Sequence, residues 1–589
     1  MKRQNRDGFS IIDLVISLAI IILLFGGIYL IYFSILDVIN NSELRSEAAS
    51  ILESRVEVIR NMAYEDIGTE GGIPSGSISQ EQAFSFGSTS FLINTTIRNI
   101  DDPFDGTLGG VPNDTAPADY KLVELQISCP DCTRFIPMIL TTTVAPKNLE
   151  SASEDGSLFV DVFDAYGMPI SGVNVHVVNN NVTPTIDLID ATNSNGVLQL
   201  VGVPTSTQSY EIEVSLDGYS SERTYSPGDP ENPNPKKPHA TVAAQTVTEV
   251  SFEIDRLSEV ALTTKDIVCS PIGDVDFSIQ GTKLIGTGPD VYKLSTSSVT
   301  DGNGQKVFNS LEWDTYSFSL TDAGYDVLGT DPFLPLVVNP SSTYNLDFIV
   351  QSVDPRSLLI TVKDSADGSL IPGASVVLSK TGFSETKITG RSSLEDTDWS
   401  GGEYFEKEGV DVDGNPGVME LELNASSTYT TSTVSWLVSN TLDFGSESST
   451  FYDFSWTPTS QPPQTGSDSV KFQIASNNDE LTWNFVGPGG SPSTYYTSSG
   501  EAIWEGHNDN QYLRYRAYLS TNNEFTTPTV EGVSIDFSGI CVPQSQVLFT
   551  NLDLGDYDLD ISAPLYVQAT SSISITGDWQ QQEILLDPQ

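Results

Sequence analysis

The chain has 589 residues, a length that sets a soft prior of about four domains. Its formal net charge is -52, from 79 acids against 27 bases, so it lacks the basic surface that nucleic acid requires. Hydrophobic residues make up 38% and aromatics 9%, which is enough for several cores and excludes a disordered stalk. The three histidines, His176, His239 and His507, are far apart and form no ligand-spaced cluster. With no constellation that meets the usual requirements of a catalytic site, an enzyme is not expected.

The amino end opens with Lys2, Arg3 and Arg6, followed by Gly8-Phe9 and an apolar run to about Ile35. The run is long enough to span a bilayer, and the bases before it put residues 1–8 in the cytoplasm and the bulk outside. One acid, Asp13, interrupts it. A carboxylate in lipid is costly unless paired, so it marks function. A cleaved secretory signal would have a shorter core and a small-residue site after it. The segment Gly8-Phe9-Ser10-Ile11-Ile12-Asp13-Leu14 resembles the processing site of type IV pilins and related pseudopilins. The resemblance implies cleavage by a prepilin peptidase between Gly8 and Phe9, N-methylation of Phe9, and pairing of Asp13 with the terminal amine of a neighbouring subunit. The family usually has Glu at that fifth mature position, and Asp is one methylene shorter. The apolar residues Leu44, Ala48, Ile51, Leu52, Val56 and Ile59 then recur at helical spacing, which extends the helix beyond the membrane.

Three strands are predicted next: Phe91–Ile97, Tyr120–Ile127 and Phe135–Val144. Cys129-Pro130-Asp131-Cys132 joins the last two. Outside the cell this tight turn favours a small structural disulfide between Cys129 and Cys132, with free thiols as the alternative; Cys269 and Cys541 stand isolated in sequence. Residues 9–150 thus read as a helix, spanning the membrane at about 11–35, with a small sheet head, and Pro146–Ser151 as a linker.

An internal repeat follows. Leu158–Val162 with Gly167–Val175, and Leu358–Val362 with Gly368–Val376, are opening halves; Asn195-Gly196 with Tyr210–Val214, and Asp301–Gly304 with Tyr316–Leu320, are closing halves. Hairpin turns and alternating strands at this spacing predict a sandwich. The pattern resembles carboxypeptidase regulatory-like, Ig-like domains, with copies at 155–255 and 257–352. A third copy opens at 356–392 and closes only at 540–589, so 394–539 reads as a domain inserted in a loop. The insert holds five of the seven tryptophans: Trp399, Trp436, Trp456, Trp483 and Trp504. Its strand pattern resembles jelly-roll and discoidin-like sandwiches of bacterial surface proteins, which implies glycan binding. Trp504 and His507 are expected as exposed ligand contacts, against the reading that such tryptophans are core. Asp411, Asp413 and Asn415 set oxygens on alternate residues, which suits calcium; the distal Glu of an EF-hand is absent, and an ordinary Asp-Gly turn is the alternative.

The expected fold is multidomain: a long N-terminal helix, half of it membrane-spanning, with a small α+β head, then mainly-β Ig-like sandwiches with an inserted jelly-roll. The expected role is a minor pilin or pseudopilin-like surface subunit. Its partners would be other pilin subunits, the peptidase, the membrane, and a glycan or surface protein. The contrary expectation is an unprocessed single-pass adhesin.

Overall fold

The computed structural model describes residues 11–589, apart from 87–88, 133 and 148–153. Gly8 and Phe9, and residues 148–151 of the expected linker, therefore lie outside the described residues. The chain is one long N-terminal helix followed by a multidomain, mainly-β body. Contacts divide it into two units, Met1–Leu257 with Leu284–Tyr292, and the remainder.

In the first unit the helix runs over Ile11–Arg60, about 75 Å at 1.5 Å per residue. Asp13 falls in its first turn, with its side chain outside the described set. Large apolar side chains from Val15 to Ile39 are exposed. Beyond Ser42 the helix becomes amphipathic, and Ala48, Leu52, Val56 and Ile59 bury one face. They pack on a four-stranded antiparallel sheet in the order Glu81–Phe86, Thr89–Ile100, Tyr120–Ser128, Met138–Val144. Alternation supplies the sheet's inner face: Phe91, Ile93 and Ile97 from one strand, Val123, Leu125 and Ile127 from its neighbour. The last strand starts at Met138 rather than Phe135, because Pro137 has no N–H to give the ladder. The strand Glu81–Phe86 was absent from the sequence expectation.

This head is fixed to the first sandwich. The Arg98 guanidinium donates twice to buried Asp190, at 2.7 and 2.5 Å, which raises the arginine above its ordinary value. Asn99 donates to the Val201 carbonyl at 2.8 Å, and the Asp187 N–H to that of Gly71 at 2.8 Å.

The three sandwiches share one plan. In each, the first strand runs parallel to the last: Gly156–Phe163 with Val247–Glu253, Ser258–Lys265 with Thr343–Ser352, and Ser357–Asp364 with Trp579–Leu586. In each, a buried tyrosine hydroxyl donates back to a carbonyl a few residues upstream: Tyr210 to Pro204, Tyr316 to Glu312 and Tyr557 to Asp553. In each, a buried threonine hydroxyl accepts an N–H from the start of a facing strand: Thr192 from Val173, Thr300 from Val275 and Thr389 from Ala374.

In the second unit, the insert replaces a turn. The Val162 N–H donates to the Gly196 carbonyl and the Thr264 N–H to Gly304, each carbonyl closing a short turn; the matching Val362 N–H donates to Ser545, on the far side of the insert. The two ends of the insert meet there. A Cβ on Gly390 would stand 2.9 Å from the Gln544 carbonyl oxygen. The insert is a sandwich. One sheet has the order Ser392–Asp396, Gly532–Ser538, Thr450–Thr457, Glu501–Ala502. The other centres on Tyr512–Leu519, with Ser435–Ser439 and Val470–Asn477 on either side and Tyr404–Glu408 at the edge. Trp399, Trp456, Phe454, Phe472, Tyr496 and Tyr515 are buried between the sheets.

One expectation is corrected here. Cys269 and Cys541 are not isolated in space: they form a disulfide across a sequence separation of 272. Cys269 sits in the turn after the second sandwich's first strand, and Cys541 directly follows the insert's last strand. Ile267 and Val268 of that turn pack on the insert's core. Among close approaches, a Cβ on Gly445 would collide with the Val268 carbonyl at 2.0 Å, so only glycine fits. Removing the bond with Cys269→Ser/Cys541→Ser should lower the stability of this unit by about 2–4 kcal/mol. Calorimetric scans of the oxidised protein and the double variant check it; coincident transitions would mean that packing alone holds the insert.

Candidate binding surfaces

Cys129 and Cys132 are bonded and close the turn between two head strands. Asp411 acts on its own loop: its Oδ1 accepts the N–H groups of Asp413 and Gly414, each at 3.0 Å, and these bonds hold its carboxyl below the ordinary value. The Asp413 Oδ1 accepts the Gly401 N–H at 3.0 Å, and the Asn415 carbonyl accepts the Val418 N–H at 3.0 Å. The arrangement closes an Asp-Gly turn. Among the described residues no group of three or more His, Cys, Asp or Glu side chains is placed to hold a metal ion.

Trp504 and His507 part company. Trp504 is 38% exposed, and its ring lies over Gly490 and Gly506, where a Cβ would fall 2.4 and 2.3 Å from ring carbons. His507 is only 2% exposed, which corrects the expectation of an exposed contact. The one-turn helix Glu505–His507 swings its imidazole inward against Val470–Asn477. There Nδ1 lies 2.8 Å from the Ser476 hydroxyl, and Nε2 is buried with no hydrogen-bond partner among the described residues. The Trp504 ring covers it edge-on at 5.4 Å.

Two surfaces not foreseen as sites have more binding character. The first is a cleft of about 650 Å³ between the second and third sandwiches, with Tyr325, Phe333, Lys363, Trp579 and Gln582 in its lining. Its cation is already neutralised: the Lys363 Nζ lies 2.5 Å from Glu583 and 5.3 Å from the Phe333 ring.

The second is the outer face of the insert. Along Tyr512–Leu519, Leu513, Tyr515, Ala517 and Leu519 point into the core, so Arg514, Arg516 and Tyr518 point out. The Arg514 guanidinium lies 3.9 Å from the Phe405 ring and 4.3 Å from Trp483. Arg516 lies 4.3 Å from Phe485 and 5.1 Å from Trp436. Tyr518 meets Tyr495 edge-on at 5.2 Å, and Lys471 lies 4.1 Å over Tyr495. Three of these aromatics come from loops outside the sheet, so the row is assembled by tertiary folding. Its sequence signal was nonetheless present: Leu513-Arg514-Tyr515-Arg516-Ala517-Tyr518-Leu519 alternates, with two bases on one face of a base-poor chain.

No protein-family model matches this chain, and no curated protein does. Among solved structures it is similar to the Bacillus anthracis TIE protein, at 11% identity over 86% of this chain and 73% of that one, with a TM-score of 0.16. It is similar to a streptococcal ancillary pilin at 11% identity, over 74% and 99%, with a TM-score of 0.15. It is also similar to GBS52, the minor pilin of Streptococcus agalactiae, at 13%, over 34% and 96%, with a TM-score of 0.17. At these TM-scores the likenesses carry neither fold nor function to this chain.

His507 makes an acid-stability prediction. Burial pushes its imidazole down to about 4, whereas an unfolded histidine titrates near 6.5. Between those values the unfolded state binds the extra proton, so stability falls as pH drops through that window, by roughly 3 kcal/mol in full. His507→Gln should flatten this part of the acid limb. Denaturant titrations at pH 7, 5.5 and 4 measure it; identical limbs in both proteins would remove His507 as the cause.

Proposed function

We propose that the chain is a membrane-anchored surface subunit of the type IV pilin or pseudopilin kind, whose helix assembles with other subunits and whose β-modules are displayed outward for binding, without catalysis. The observation that carries the proposal is the division of labour within Ile11–Arg60. A bilayer core takes about 20 helical residues. The helix has 50, its apolar first half is unpacked, and its second half forms the wall of a small sheet domain. The apolar stretch qualifies as a membrane span by length and hydropathy. The two disulfides support an oxidising compartment for the body.

In this reading prepilin peptidase cuts between Gly8 and Phe9, and Asp13 offers its carboxylate to the new amine of the next subunit. So bulky a body would crowd a repeating shaft, which favours a tip or low-copy place. Mass spectrometry of the mature amino terminus tests the proposal. N-methylated Phe9 is the expected outcome; an intact Met1 or Lys2 terminus would overturn it and leave a single-pass anchored adhesin.

A further inference from the structure

The cations of the second unit fall into two sets. Four half-buried lysines sit against acids: Lys265 with Asp347 at 2.7 Å, Lys283 and Lys293 with Glu312 at 2.7 and 2.5 Å, and Lys363 with Glu583 at 2.5 Å. Lys306, Arg391 and Lys471 lie over aromatic rings, Arg356 and Lys407 donate to backbone carbonyls, and Arg514 and Arg516 belong to this second set as the two that stand side by side. Among the described residues neither has a carboxylate within ion-pair distance, although they stand two apart on one strand face, where like charges repel. Arg514 is 9% exposed and spends its Nε and one terminal nitrogen on the Thr441 hydroxyl, at 2.9 and 2.8 Å. The Nε of Arg516 is buried with no hydrogen-bond partner among the described residues. Glu480 acts on Arg514 from beyond ion-pair range. Glu406 and Glu408 of the edge strand share the face and are likewise unpaired with either arginine.

We propose that this face binds a carboxylated sugar chain, with Arg516 taking a uronate carboxylate, the more buried Arg514 adding positive charge beside it, and Phe405, Trp436 and Trp483 offering flat apolar surface to the sugar rings. With its Nε buried, Arg516 has its two terminal nitrogens left for a ligand, and that pair matches a carboxylate in bidentate geometry. Phe405 is 59% exposed, so its outer face remains available beyond the arginine it covers. Glu406 and Glu408 accept hydrogen bonds from sugar hydroxyls. An acidic peptide fits less well. Extended peptides dock by adding to a sheet edge through their backbone, and the arginines lie on a strand that is paired on both sides. The cleft between the second and third sandwiches lacks an unpaired cation and so lacks this selectivity.

The inference rests on the display reading only for where the face is presented. The pairing itself does not require a processed helix, so its test and the terminal mass measurement fail separately. The test titrates full-length protein in detergent with oligogalacturonate. Binding is expected, with the methyl-esterified oligomer at least about tenfold weaker, and Arg516→Gln weaker by about the same factor with unchanged thermal unfolding. Should Arg516→Gln fail to fold, the esterified oligomer on wild-type protein decides alone. No binding of the acid form, equal binding of the ester, equal binding of polyglutamate or dextran sulfate, or an unaffected Arg516→Gln protein would each overturn the proposal.

Discussion

The pairing of first strand with last is the constraint on which the body depends. In each sandwich the opening strand is incomplete until the closing strand lies parallel beside it, and parallel neighbours need a long crossover. For the third sandwich Ser357–Asp364 waits for Trp579–Leu586, with a whole domain in between. The crossover closes because the insert leaves and rejoins at one point, where Gly390 faces Gln544 and the Ser545 carbonyl takes over a turn's hydrogen bond. An insert whose ends lay far apart would tear that sheet open. Local hydrogen bonds then pin each corner: a tyrosine hydroxyl at one end, a threonine hydroxyl at the other. The tyrosine bonds span 4 to 6 residues and the threonine bonds 15 to 25, so neither depends on the distant strand.

Much of this was legible in the residues. The helix announced itself by an apolar run followed by a stripe at Leu44, Ala48, Leu52 and Ile59. Alternation marked Tyr120–Ser128 and Tyr512–Leu519 because each has one face in a core. The repeat was readable because the same turn chemistry recurs: Asn-Gly in one copy, Asp-Gly in another. What escaped were features set by distant chain. Residues 81–85 alternate only between exposed and half-buried, with no core position to mark a face, and Glu81–Phe86 becomes a strand because Thr89–Ile100 offers it a partner. Cys269 and Cys541 carry no spacing signal, since a bond across that much chain is decided by the fold alone. His507 looked exposed because polar residues surround it in sequence, while one turn of helix reverses the direction of its side chain.

The sites divide along the same line. Asp411 and Asp413 have the composition of a cation loop, yet one oxygen of each is engaged by backbone N–H groups. The arginine row has an ordinary composition, and its chemistry comes from Phe405, Trp483 and Phe485 closing over it. Residue type proposes a chemistry; the neighbours that fold over it determine whether the polar atoms are still free to act.

The bond between Cys269 and Cys541 also defines a mechanical route. For a subunit held at its helix and pulled through a ligand on the insert, tension enters the second unit at Ser258 and travels one strand to Cys269. The covalent bridge then passes it to Cys541, beside the insert's last strand. The rest of the second sandwich, and the opening half of the third, hang from this route as slack loops and bear little of the load. Their strand ladders are spared from unzipping, and the covalent shortcut limits how far the chain can lengthen under force.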